Sequence, residues 1–307
     1  MQTIKSLLRR LLRSSGYSIH DTRWIEYLEQ HQCPWVPPGH FFSPYPNLDE
    51  IRRNEAQIFN QDKPILGIDL REEQQFEMLK TIGSLYPSMK FPEAKNPRCR
   101  YYFDNETYTY SDGIVLHAML RIIQPKRLIE IGCGYSSAMI LDTNELNFQS
   151  QLRITFVEPY PKVLRSLMKP QDEASVTIIE SKLENLDPTL FEELAENDIL
   201  FIDSTHVSKV NSDVNFIFFE ILPRLRRGVH IHFHDIFYPF EYLKEWIYQG
   251  WAWQEAYLLH AFLQDNQRYQ ITYFQDFMFK KYHHYFEEYL PLCLKNGGGS
   301  LWLKKVC

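Results

Sequence analysis

Residues 127–141 read RLIEIGCGYSSAMIL. A short apolar run ends in Gly132 and Gly134, and a helical pattern starts near Ser136. Glycines this close together let a backbone turn tightly and approach a ligand. The helix start that follows offers unpaired N–H groups and a positive dipole end. The chain has only 12 glycines in 307 residues, so the pair is not a compositional accident. The strand–turn–helix pattern then repeats. Strands are expected at Arg127–Ile131, Ile154–Glu158, Val176–Glu180, Ile199–Asp203 and Val229–His234. Helices are expected between them, at Ser136–Asn144, Pro161–Met168, Pro188–Glu196 and Val210–Arg226. Short strands without polar alternation are buried on both faces, which requires a parallel sheet between helical layers. Two later strands, Tyr269–Phe274 and Ser300–Val306, complete it, with helices near Phe240–Tyr248 and Ala252–Gln264 before them. The expected fold is α/β: a Rossmann-like, doubly wound, mostly parallel seven-stranded sheet.

The chain before this region has a different texture. Nine prolines fall between Pro34 and Pro97, and aromatic residues are mixed among them (CPWVPPGHFFSPYP). Helical patches appear at Leu48–Phe59 and Glu72–Leu85, and another helix runs from Gly113 to Ile123, closed by Pro125. Residues 1–105 are therefore read as an N-terminal helical, Pro-rich extension and residues 106–307 as the sheet domain. Met1–Tyr17 has leucines interrupted by Arg9, Arg10 and Arg13, the pattern of a basic amphipathic helix and not of a signal peptide.

Composition excludes several classes. A net charge of −6 argues against a general nucleic-acid binder. No run reaches the roughly 20 apolar residues of a membrane span. The five cysteines form no CxxC pair, which removes zinc-ribbon and thioredoxin readings and fits a reducing, cytoplasmic setting.

The glycine loop narrows the ligand. A dinucleotide fingerprint needs a glycine where this chain has Ser137. Glu158, at the end of the second strand, is placed to accept hydrogen bonds from ribose hydroxyls. Glu130, two residues before Gly132, makes an E-x-G-x-G pattern that resembles the first motif of class I S-adenosylmethionine-dependent methyltransferases. The resemblance implies cofactor contacts from Glu130, Gly132, Gly134, Tyr135, Ser136, Ser137 and Glu158. It also implies adenine-side contacts from Ser181 and Lys182 after the third strand, and a further contact from Asp203.

The fourth strand ends in Asp203, with His206 three residues on, and the fifth ends in His234–Asp235. Adjacent parallel strands bring these ends to one sheet edge. Asp203, His234 and Asp235 form a candidate divalent-cation site, Mg²⁺ or Mn²⁺. His206 is the candidate general base, with Asp203 beside it. The order of glycine loop, D-x-x-H and H-D, from Tyr108 to Phe274, is similar to the metal-dependent O-methyltransferases, including the macrocin O-methyltransferase and cephalosporin-cluster group and methyltransferase family 24. In their metal-binding members an acidic residue stands where this chain has His234. FHDIFYPFEY and GGGSLWL also resemble segments of bacterial methyltransferases. Tyr110 and Tyr238 are the candidate substrate contacts, since rings beside a charged site suit a sugar or an aromatic acceptor. Asp112, near the start of a helix, is read as its N-cap.

The expected activity is methyl transfer from S-adenosylmethionine to a hydroxyl of a small molecule or glycan, with a divalent cation assisting. The alternatives are an NAD(P)-dependent oxidoreductase and a non-catalytic nucleotide-ligand binding protein. A homo-oligomer contact is expected from the aromatic N-terminal part.

Overall fold

The structure, a computed structural model, describes residues 35–307. The helix expected at Met1–Tyr17 lies outside the described residues. The chain divides into two compact units, one ending at Ile58 and one running from Phe59 to Cys307. The first contains the short helices Leu48–Arg53 and Glu55–Ile58. Asn47 caps the former, its side chain accepting from the N–H groups of Asp49 and Glu50.

The second unit is built on seven strands: β1 (Arg127–Ile131), β2 (Arg153–Val157), β3 (Thr177–Ile179), β4 (Ile199–Ile202), β5 (His230–His234), β6 (Tyr269–Phe274) and β7 (Ser300–Lys305). Their order is β3-β2-β1-β4-β5-β7-β6. β1 to β5 are mutually parallel where they pair, and β7 runs antiparallel between β5 and β6. The doubly wound, mostly parallel fold expected from the strand pattern is the one observed. Every residue of β4 and β5 is buried, the reason these strands lack polar alternation. Because β2 and β4 flank β1 on opposite sides, the winding reverses there, and a crevice opens beyond the carboxyl ends of the strands.

Helix α1 (Glu72–Leu85) has the bounds read from the sequence. Its buried Gln75 accepts the Phe274 N–H of β6. Residues 59–105 therefore share a compact unit with the sheet. Helix α2 (Tyr110–Ile123) and helix α3 (Tyr135–Asn147), which begins directly after the glycine loop, pack on each other. Helix α4 (Glu255–Leu263) precedes β6, and helix α5 (Gln275–Lys281) follows it.

Several helices differ from expectation. The single helix expected at Val210–Arg226 is Asp213–Phe216, a π-helical turn at Ile217–Ile221 and a last turn at Leu222–Arg224. Asn211 has φ +56°, so the helix starts only after Ser212, which caps it by accepting the Asn215 N–H. Pro188–Glu193 is a 3₁₀ helix. Phe240 has φ +67°, and helical backbone begins only at Lys244. The helices Gln275–Lys281 and His283–Tyr289 have no counterpart in the sequence reading. Among the described residues, no helix is long and apolar enough to cross a membrane.

Candidate active site

Gly132 joins β1 to β4 by close approach. Its φ is +77°, and a Cβ at this position would lie 1.7 Å from the Asp203 carbonyl oxygen. The Asp203 N–H donates to the Ile131 carbonyl at 2.9 Å, which draws the two strand ends together. Gly134 is different. Its backbone is extended, and a Cβ there would meet nothing within 4 Å. The Gly134 N–H donates to Ser137 Oγ at 3.1 Å, so Ser137, which breaks the dinucleotide fingerprint, closes the turn itself.

A cavity of about 380 Å³ lies over the ends of β1, β2 and β4. Gly132, Glu158, Ser181, Lys182 and Asp203 all line it, so the structure brings these sequence candidates together. Glu158 faces it while its carboxylate accepts the Cys133 N–H at 3.2 Å and the Tyr160 N–H at 2.8 Å. Glu130, Gly134, Tyr135, Ser136 and Ser137 are not in its wall. Glu130 is fully buried and accepts the Ser136 hydroxyl at 2.5 Å. Burial pushes its pKa up to about 8, so it carries a proton over much of the neutral range. Tyr135 shares a hydroxyl hydrogen bond of 3.0 Å with Tyr102.

The loop after β4 is held in place by Asp213, whose carboxylate accepts the Thr205 N–H at 2.9 Å and the Thr205 hydroxyl at 2.7 Å. It delivers His206 in the left-handed region, with φ +60°, and Asp235 after β5 has φ +55°. Neither residue is a glycine, and each such conformation costs on the order of 1–3 kcal/mol. His206 is buried, which excludes a histidine exposed at a helix start. Its Nε2 lies 3.4 Å from Asp203 Oδ1 and 3.7 Å from Asp235 Oδ2. Its Nδ1 lies 2.8 Å from Glu255 Oε2. Burial opposes charge on this ring, but the Asp203 and Glu255 carboxylates outweigh it and hold the His206 pKa well above the ordinary value. Burial raises the Asp235 pKa to about 6, against the attraction of His234 and His206. At Asp203 the same two histidines outweigh burial, and its pKa is lowered.

Donor atoms of Asp203, His206 and Asp235 all lie within 4.8 Å of one another. His234, the nitrogen donor expected from the sequence, stands beside this trio, with Nε2 3.5 Å from Asp235 Oδ1 and its ring against Tyr108 at 4.9 Å. Two carboxylates and one imidazole nitrogen are donors that fit a divalent cation.

A second cavity, of about 420 Å³, opens on Asp235 and His234 over the end of β5. Its wall includes Thr107, Phe237, Trp246 and Gly297–Gly299. Neither Tyr110 nor Tyr238 lines it. The Tyr110 hydroxyl donates to Glu93 at 3.2 Å, and the Tyr238 ring packs on Phe277 at 5.0 Å. Asp112 is not the cap of α2, since that position is Thr109. Its carboxylate accepts the Gly299 N–H and the Asn296 side-chain amide, each at 3.0 Å, and so shapes the glycine turn of this cavity.

A family profile described as a methyltransferase domain matches residues 129–236, the stretch that carries the glycine loop, Asp203, His206 and Asp235. Residues 129–236 are a methyltransferase domain by this match. The chain is 36% identical over 169 residues to an uncharacterised protein of Archaeoglobus fulgidus, covering 53% of this chain and 75% of that one. Solved structures similar to the chain include two O-methyltransferases. TomG, an O-methyltransferase of Streptomyces achromogenes involved in tomaymycin synthesis and solved with SAM, has 17% identity and a TM-score of 0.43, covering 67% of this chain and 85% of TomG. An O-methyltransferase of Bacillus cereus in complex with SAH has 14% identity and a TM-score of 0.41, covering 83% of this chain and 97% of that one.

Glu255, the partner of His206, lies outside the matched stretch and was not singled out in the sequence. It stands 49 positions from His206, at the start of α4, and is fully buried. The one trace it leaves is an acidic residue inside the apolar segment WAWQEAYLL.

Proposed function

We propose that the chain transfers a methyl group from S-adenosylmethionine to a hydroxyl of a small molecule or sugar, including glycans. The observation that carries this reading is the position of Asp203. It lines the cavity over β1, β2 and β4, and it faces His206 and Asp235, which borders the second cavity. One cavity would take the cofactor, the other the acceptor, with the carboxylate–imidazole cluster between them.

In this reading Glu158 accepts hydrogen bonds from ribose hydroxyls, and Ser181 and Lys182 border the adenine side. Gly134 leaves room for a ligand that a side chain would fill. His206 Nε2 faces the reaction side and takes the acceptor proton. Asp203 and Asp235 would hold a divalent cation, Mg²⁺ or Mn²⁺. Such an ion supplies positive charge that offsets the carboxylates holding a proton on His206 and makes a nearby hydroxyl more acidic. The acceptor would meet Trp246 and Phe237 in the second cavity, in place of the expected Tyr110 and Tyr238.

Calorimetry tests the reading directly. S-adenosylmethionine is titrated into the pure protein with and without Mg²⁺ or Mn²⁺, and NAD⁺ serves as the control. Binding of S-adenosylmethionine and not NAD⁺ is the expected result. Binding of NAD⁺ alone would replace this reading with the oxidoreductase one. A metal-dependent heat should disappear in Asp203→Ala.

A further inference from the structure

The structure assigns Glu255 as the positioning residue of His206: it fixes which imidazole nitrogen faces the reaction. The inference rests on the proposed role of His206 as base.

A histidine has two ring nitrogens, and only one can serve a given proton transfer. Here Nδ1 lies 2.8 Å from Glu255 Oε2, within ordinary hydrogen-bond range. An ionised carboxylate only accepts, so Nδ1 must be the protonated nitrogen of a neutral ring. In the charged ring both nitrogens hold protons, and Nε2, which lies 3.4 Å from Asp203 and 3.7 Å from Asp235, is the one that gives up its proton when the ring becomes the base. The other Glu255 oxygen accepts the Ser204 hydroxyl at 3.2 Å, which limits rotation of the carboxylate.

The same helix start holds the backbone of His206. The N–H groups of Gln254 and Glu255 donate to the His206 carbonyl at 2.9 and 3.2 Å. The Trp253 ring lies 4.3 Å from the imidazole. A left-handed histidine is therefore held at its carbonyl, its ring face and its Nδ1 by three consecutive residues, Trp253 to Glu255. This whole clamp lies outside the stretch matched by the methyltransferase-domain profile. A buried ion pair that served packing alone would not need to engage the ring and the backbone of one loop residue together.

Glu255→Gln keeps the shape and removes the charge, and Glu255→Ala removes the contact. In ¹⁵N-histidine-labelled protein, the wild type should show a downfield, slowly exchanging Nδ1 proton on His206. That signal should be lost in Glu255→Ala. In methyl-transfer assays with an acceptor found by screening methyl glycosides and phenols, Glu255→Gln should lower kcat by about 10²-fold. Its S-adenosylmethionine affinity should stay within about twofold of wild type, because Glu255 does not line the cofactor cavity. A variant with unchanged kcat overturns the inference, and so does a wild-type spectrum without the Nδ1 proton. A variant whose affinity and kcat fall together with its Tm shows a structural role only and also overturns it. Failure of wild-type protein to bind S-adenosylmethionine would instead sink the methyltransferase reading, and the spectrum would still decide whether Glu255 holds the ring.

Discussion

Gly132 and Gly134 are neighbours of one motif with different physical reasons for being glycine. Gly132 is required by the protein itself, since a Cβ would collide with the Asp203 carbonyl at 1.7 Å. Gly134 meets no protein atom within 4 Å, so the fold tolerates a methyl group there. Gly132→Ala should cost about 3 kcal/mol or more of stability, because both a left-handed φ and a backbone clash must be relieved. Gly134→Ala should unfold like the parent; if the proposed S-adenosylmethionine extends into the open space beside Gly134, outside the wall of the first cavity, it should bind about tenfold more weakly, roughly 1.4 kcal/mol. Thermal scans and calorimetry on the two variants separate these outcomes. Equal loss of stability in both would show that neither glycine answers to a ligand.

His117 allows a pH prediction away from the site. It is buried in α2, and its Nδ1 lies 2.8 Å from Thr143 Oγ1. Burial lowers its pKa to about 3 from the ordinary 6.5. Below pH 6.5 the unfolded chain binds a proton that the folded chain does not. Stability is therefore fully present above pH 6.5 and falls as the pH drops towards 3, by about 1.4 kcal/mol per pH unit for one proton. His230, with its pKa lowered to about 4 by burial, adds to the same trend. His117→Phe should remove about one proton's share of that slope while leaving the stability curve above pH 7 nearly level. Urea midpoints measured from pH 7.5 to 5 check it. An unchanged slope would mean that His117 charges without opening the core.

At the scale of elements, what was legible depended on how local the cause was. The strands of the sheet were readable because burial on both faces leaves a pure apolar run, as in ILFI of β4. Helix α1 was readable to the residue because its pattern is interrupted by nothing until Tyr86–Ser88. The helix after Val210 was misread because Asn211, a residue tolerant of left-handed backbone, delays its start. The helices Gln275–Lys281 and His283–Tyr289 carry aromatics on several sides and show no clean apolar stripe. The site was legible as far as strand ends are concerned, since Gly132, Glu158, Asp203 and Asp235 each follow or close a strand. Asp112 and Glu255 were not. Each acts through a partner far away in sequence, Gly299 for Asp112 and His206 for Glu255, and no local pattern encodes such a pairing.

The larger unit, Phe59–Cys307, is tied together at Arg100. Its guanidinium meets Asp142 at 2.6 Å, Glu145 at 2.8 Å and Asp172 at 2.5 Å. Asp142 also accepts the backbone N–H groups of Arg100 and Tyr101, at 2.8 and 2.9 Å. Asp142 lies on α3, directly behind the glycine loop, and Asp172 lies between β2 and β3. The segment before the first strand is thus bonded into the layer that carries the first cavity. Arg100, Asp142 and Asp172 are all buried, so removing the cation leaves uncompensated carboxylates in the core. Arg100→Met should destabilise the protein by about 3–5 kcal/mol. A chain cut to residues 106–307, at the boundary where composition changes, loses Arg100 and the buried Tyr101 and Phe103 with it. It should lack a cooperative unfolding transition, whereas residues 59–307 should melt cooperatively and bind S-adenosylmethionine as the full chain does. Near-ultraviolet circular dichroism during thermal scans distinguishes the two. A cooperative transition in the shorter chain would show that the Pro-rich segment is an appendage, and that the Arg100 network adds stability to a sheet domain already able to fold without it.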